Sequence, residues 1–121
     1  GASPENGCDV NGPTAVIKSV CKPDHTMFSC GTLLNVKFSP ELLQSERDRE
    51  NFKGLLNAEK ELGGYHVQFN VINNETLKAA QKNPENYTNL LVRVAGYSAF
   101  FVDLHKDTQD SIIGRTENNR W

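Results

Sequence analysis

The stretch Leu90-Leu-Val-Arg-Val-Ala-Gly96-Tyr-Ser-Ala-Phe-Phe-Val-Asp103 decides how the chain is read. It is an apolar, β-prone run broken once, by Gly96, with no second turn residue beside it. Hairpin turns usually carry two such residues, so a lone glycine asks for another reason. One is geometric: glycine takes positive φ, or accepts a very close neighbour, without steric cost. The other is chemical. A glycine Cα that loses a hydrogen atom becomes a flat carbon radical, stabilised by the amide nitrogen on one side and the carbonyl on the other. A side chain clashes with that flat geometry, which makes glycine the natural carrier. The pattern predicts a pair of strands meeting at Gly96 within residues 90–104, with Phe100, Phe101, Val102 and Leu104 packed under the loop.

Outward from the hairpin, the elements alternate between helix and strand. Residues 1–12 are rich in Gly, Asn, Asp and Pro and read as loop. Gly12-Pro13-Thr14 opens a short helix to about Cys21, with Pro in the first turn, where its missing N–H costs least. Ala15, Val16, Val20 and Ser19 are expected on its core side, and Lys22-Pro23 ends it. Met27–Phe38 suggests an extended segment through Leu33, Leu34, Val36 and Phe38. Ser39-Pro40-Glu41 starts a helix that breaks near Ser45 and resumes, with Phe52, Leu55, Leu56, Glu59 and Leu62 at helical spacing. Gly63-Gly64 stops it. Tyr65-His-Val-Gln-Phe-Asn-Val71 alternates cleanly, with Tyr65, Val67, Phe69 and Val71 on one face and His66, Gln68 and Asn70 on the other. Asn73 or Asn74 caps a helix from Glu75 to Lys82 that turns Leu77 and Ala80 inward, and Pro84 closes it. A last helix runs from about Asp107 to Arg115, burying Ile112 and Ile113, with Gln109, Asp110, Arg115 and Thr116 docking it.

Arg93-Val94-Ala95-Gly96-Tyr97, followed by Ser98, resembles the radical-bearing loop of the glycyl radical enzymes, the group that includes pyruvate formate-lyase. Ala before the glycine matches the glycerol and diol dehydratases, choline trimethylamine-lyase and the arylalkylsuccinate synthases rather than pyruvate formate-lyase itself. The resemblance runs through the chain: Gly1-Ala-Ser-Pro4, Gly12-Pro-Thr-Ala15, Ser19-Val-Cys-Lys22, Gly63-Gly-Tyr-His-Val-Gln-Phe-Asn-Val71, Pro84-Glu-Asn-Tyr87 and Gln109-Asp-Ser-Ile-Ile-Gly-Arg-Thr116. It implies an α/β fold, the C-terminal part of a glycyl-radical-enzyme barrel with a hairpin radical loop and a C-terminal helix. It also implies that a radical SAM activating enzyme, carrying its own iron–sulfur cluster and using S-adenosylmethionine, removes one hydrogen from Gly96. No cofactor is expected on this chain. Arg93, Val94, Ala95, Tyr97 and Ser98 would support the loop, and Ser3 and Pro4 would lie on a loop near a substrate cavity. The radical would pass to a cysteine thiol on another segment or chain, with the loop shielded from water and oxygen.

The rest of the composition sets bounds. The chain has 121 residues, 37% hydrophobic and 23% charged, one domain's worth with a modest core. A net charge of −2 offers no basic surface to nucleic acid or acidic lipid, and no apolar run approaches a membrane span. Cys8, Cys21 and Cys30 make an odd count without metal-ligand spacing, which suggests reduced thiols in a cytoplasm, as expected for an anaerobic enzyme. None of the three lies where the family's catalytic cysteine does. His25, His66 and His105 are dispersed, so no metal site is expected.

Gly1 stands where an initiator Met would be, inside a family element. The chain is therefore expected to be a fragment, an expressed domain or a small separate subunit: a single radical domain over residues 1–121, inactive alone, that when cut free associates with a larger partner, oligomerises or is loosely ordered over residues 1–35. Two further readings remain open. One is a spare-part subunit that repairs an oxygen-cleaved enzyme, since a cut at position 96 releases the last 25 residues (121 minus 96). The other is a non-enzymatic binding module whose hairpin merely resembles the radical loop. The substrate is not encoded in these residues.

Overall fold

Leu34, Val36 and Phe38 alternate with Asn35 and Lys37, and this run, Leu33–Phe38, forms the central strand β1 in a computed structural model that describes residues 2–121. β1 pairs in parallel with β2 (His66–Val71), Leu33 opposite His66 and Phe38 opposite Val71. On its other side it pairs in parallel with a two-residue strand that the sequence did not announce, Glu117–Asn118. A parallel pair needs a crossover long enough to return to the same end of the sheet. α2 (Glu46–Glu61) supplies it between β1 and β2. Ser45 caps that helix, accepting from the Asp48 N–H at 3.1 Å, and the preceding Pro40–Leu43 is a separate 3₁₀ turn, as the predicted break requires.

Two apolar clusters flank the chain's middle. In the first, α1 (Pro13–Val20) and α2 cover Leu34, Val36 and Phe38 of β1, with Val16, Ile17, Leu42 and Leu55. Phe38 is fully buried and meets the rings of Phe52, Phe69 and Trp121 at 5.6–5.8 Å between centroids. Complete burial of one such side chain is worth ~1.5–3 kcal/mol. In the second cluster, α3 (Asn74–Lys82) and α4 (Lys106–Gly114) bring Leu77, Ala80 and Ile112 together with Val92, Val94 and Phe101. Asn73 caps α3 by accepting from the Thr76 N–H at 2.9 Å. Each strand of the hairpin is three residues long, Leu91–Arg93 and Ser98–Phe100, with Val92 opposite Ala99.

Several expectations change in detail. The extended segment begins at Leu33 rather than Met27, because Asp24 accepts from the Thr26 N–H and folds His25–Met27 into a 3₁₀ turn. On α1 the expected Val16 is buried and Val20 half-buried, and Ile17 joins them as the most buried of the three, while Ala15 and Ser19 are exposed. The hairpin's second strand ends at Phe100, where Phe101–Asp103 turns into a 3₁₀ helix. Phe101 is thereby buried and Phe100 left outside, 45% exposed. The largest change is on β2. Its apolar face covers the first cluster only through Val67 and Phe69, with Tyr65 and Val71 exposed, while its polar residues Gln68 and Asn70 are buried.

Candidate functional site

The buried polar face of β2 explains itself at the hairpin. Burying an amide without partners costs ~1–3 kcal/mol, so Gln68 and Asn70 need donors and acceptors nearby. The hairpin backbone provides them. Asn70 Oδ1 accepts from the Arg93 N–H and Asn70 Nδ2 donates to the Arg93 carbonyl, both at 2.7 Å. Gln68 Oε1 accepts from the Gly96 N–H at 3.0 Å. The strand alternation separated these polar residues correctly but could not tell that their face looks onto a second strand pair rather than water.

A third anchor comes from the other side. Gly114 ends α4, and Arg115 follows in extended backbone. Its guanidinium donates to the Val94 carbonyl at 2.8 Å and to the Arg93 carbonyl at 3.4 Å. Burial lowers the Arg115 pKa from its ordinary value, and arginine stays charged in proteins regardless. The end of α4 is itself held by Lys37, which is 1% exposed and donates from Nζ to the Ile112 and Ile113 carbonyls at 3.0 Å each. Its third partner is Asn74 Oδ1 at 2.7 Å. Three ammonium hydrogens meet three acceptors. Burial still lowers the Lys37 pKa to about 8, with Glu117 opposing and Arg115 adding to the fall.

Between these anchors the turn closes with the Val94 N–H donating to the Tyr97 carbonyl at 2.9 Å. Gly96 sits in it at φ 79°, in the left-handed region that side chains avoid. A Cβ built on Gly96 would meet no heavy atom within 4 Å. The glycine is thus required by backbone conformation, while the space beside its Cα is open. Ala95, Gly96, Tyr97 and Ser98 are all exposed in this chain. Tyr97 is 53% exposed, so its phenol is not a core group. The Arg93 guanidinium donates to Ser98 Oγ at 3.2 Å across the hairpin, rather than forming a surface ion pair. The support of the loop therefore runs through Arg93 and Val94 backbone groups, gripped by Asn70 and Arg115, more than through the side chains flanking the glycine.

The other predicted residues lie elsewhere. Ser3 and Pro4 line a cavity of about 140 Å³ shared with Asp9, Lys37, Arg115 and Thr116. A wider hollow of about 480 Å³ also takes Ser3 and Pro4, with Cys8 and Val16 on its wall. Neither is lined by Gly96. Gly1 falls outside the described residues. Cys8 and Cys30 are exposed; Cys21 packs against the first cluster, whereas the hairpin belongs to the second. Burial, with the Glu59 carboxylate adding to it, raises the Cys21 pKa. Among the described residues no group of three or more His, Cys, Asp or Glu is placed to hold a metal ion, and no helix is long and apolar enough to cross a membrane. Gln109 docks α4 as expected, donating to the Phe101 and Leu104 carbonyls at 2.9 and 3.1 Å.

The family model described as "Glycine radical" matches residues 1–102, which include the hairpin. Trans-4-hydroxy-L-proline dehydratase of Clostridioides difficile is 52% identical over 117 residues, covering 97% of this chain and 15% of that protein. Isethionate sulfite-lyase of Desulfovibrio desulfuricans is 46% identical over 121 residues, again 15% of its length. The glycerol-bound B12-independent glycerol dehydratase of Clostridium butyricum superposes with a TM-score of 0.94 at 52% identity, covering 99% of this chain and 15% of that one. The chain thus spans about 15% of the length of the relatives it matches. The α/β fold read from the sequence is the fold of that part of those enzymes, and the chain belongs to the glycine radical family.

Proposed function

We propose that this chain is a glycyl radical domain that stores an unpaired electron on the Cα of Gly96 for a lyase or dehydratase. The observation that carries the reading is the state of Gly96 itself. Its amide is held by Gln68 and its loop by Asn70 and Arg115, yet the space beside its Cα is open. A reacting carbon that is fixed in position and unobstructed is what hydrogen-atom transfer at near contact requires. In activation one Cα–H bond breaks homolytically, and the hydrogen atom leaves with the radical generated by a radical SAM activating enzyme from S-adenosylmethionine. In turnover the Gly96 radical takes a hydrogen atom from a thiol, which re-forms the Cα–H bond and leaves a thiyl radical to attack the substrate.

The thiol is supplied by a segment or chain outside these 121 residues. Cys21 packs against the other cluster, and Cys8 and Cys30 are exposed and belong to neither apolar cluster. The same outside segment would cover the exposed tip at Ala95–Ser98 and exclude water and oxygen from it. Relatives of which this chain spans 15% include dehydratases and a sulfite-lyase, which supports a lyase or dehydratase reaction and leaves the substrate open. Service as a replacement for an oxygen-cleaved loop is compatible with the same chemistry.

Anaerobic treatment of the chain with an activating enzyme, reductant and S-adenosylmethionine tests the reading. It should give an electron paramagnetic resonance doublet, split by the one hydrogen left on Gly96. The splitting should collapse when glycine is deuterated, and Gly96→Ala should give no signal. A silent wild-type spectrum, or a doublet that persists in Gly96→Ala, would overturn it.

A further inference from the structure

Asn70 and Arg115 hold residues 93 and 94; Gln68 alone among the anchors touches residue 96. The Gly96 N–H is a donor, so the end of the Gln68 amide facing it has to be the oxygen. That leaves Nε2, which can only donate. At 3.0 Å from it lies Nε2 of the His66 ring, two residues back on the same face of β2. For this contact to be a hydrogen bond, His66 Nε2 must carry no proton, and the ring must be neutral with its hydrogen on Nδ1. One backbone donor therefore fixes the orientation of the glutamine and, through it, the tautomer of the histidine.

We propose that Gln68 is the positioning residue of the Gly96 site and that His66 sets the orientation in which it works. The proposal rests on Gly96 being the radical carrier and adds what prepares that carbon. With Oε1 accepting from the Gly96 N–H, the amide nitrogen holds more electron density to share with an electron-deficient Cα. The same contact pins the N–Cα axis of a residue that has no side chain to pin it, at the φ of 79° that leaves the Cα side open. Without the acceptor in His66, the glutamine can turn its NH₂ toward Gly96, where donor faces donor and the contact is lost.

Per-residue amide exchange on the unactivated ¹⁵N-labelled chain tests this. Gln68→Leu should speed exchange of the Gly96 N–H by about tenfold, the loss of one net hydrogen bond, while Val36 and Phe69 in the β1–β2 ladder keep wild-type rates. Gln68→Glu, which retains an acceptor oxygen, should restore most of the protection, and His66→Leu should lose part of it. After activation, Gln68→Leu should also change the ¹⁵N coupling on the radical doublet, which a merely structural contact would leave alone. Equal Gly96 exchange in wild type and Gln68→Leu overturns the proposal. If Gln68→Leu loosens β1 and β2 as well, His66→Leu decides instead, and wild-type Gly96 exchange in it is the overturning result. A doublet from a chain whose Gly96 amide is unprotected removes the Gln68 role and leaves Gly96 as the carrier. Protection without any doublet removes the carrier and keeps the contact.

Discussion

The side-chain amide of Asn70 pairs with both backbone groups of Arg93, accepting from the N–H and donating to the carbonyl at 2.7 Å each. It offers Arg93 the donor and acceptor that a neighbouring strand's backbone would, though β2 and the hairpin belong to separate sheets. Asn70→Leu removes the acceptor of the Arg93 N–H and leaves the Arg93 carbonyl only the longer Arg115 contact at 3.4 Å. It should destabilise the chain by about 2–3 kcal/mol, since Arg93 is partly buried and its backbone groups lose their shelter. Asn70→Asp keeps the acceptor and should cost less. Denaturant midpoints of the two variants check the order.

Arg115→Lys should weaken the hairpin although charge is conserved. A planar fork reaches two carbonyls from one side chain, whereas an ammonium on a flexible stem does not reproduce that geometry. A loss of about 1–2 kcal/mol is expected. It should appear as faster amide exchange at Val94, with α2 unaffected.

Gly96→Ala separates conformation from space. An added Cβ meets nothing within 4 Å, so the cost is that of a side chain at φ 79°, roughly 1–2 kcal/mol. Thermal denaturation should show a shift of that size and a cooperative transition. A much larger loss would mean that the tip is packed.

Lys37 gives the stability curve a marked direction with pH. Its folded pKa is lowered to about 8 by burial, against an ordinary value of 10.5. Between those values the unfolded chain binds more protons than the folded one, so stability from this group rises as pH climbs through that window. Lys37→Met removes the proton linkage but orphans the Ile112 and Ile113 carbonyls. The variant should be less stable at pH 7, and the gap to wild type should widen by pH 10. Denaturation of both proteins at the two values measures it.

The elements legible in the sequence are those fixed by near neighbours. Ser45 and Asn73 cap their helices through N–H groups three residues on, and the break near Ser45 follows from that serine's capping of the charged run after it. Leu77, Ala80 and Ile112 were placed inward by helical spacing alone. What stayed hidden depends on contacts between distant positions. Gln68 meets Gly96 across 28 residues and Asn70 meets Arg93 across 23, so their alternation looked like an outer surface. Glu117–Asn118 is too short to carry a strand pattern and exists because β1 offers it an edge. Phe100 and Phe101 are equivalent in composition, and only the turn at Phe101 decides which is buried. The glycine was singled out by the family resemblance of the segments on both sides of it; its interruption of an apolar run, taken alone, reads as an eased tight turn.

Lys37 occupies all three of its hydrogens on the start of α3 and the end of α4. Arg115, one residue past that end, grips the hairpin two positions before its tip. These joints run in series from the central strand to the glycine. A force that levered the last helix outward would tow Gly96 along with it instead of leaving it behind. Presenting that carbon to another protein would then be a motion of the whole assembly of joints, with the tip as passenger.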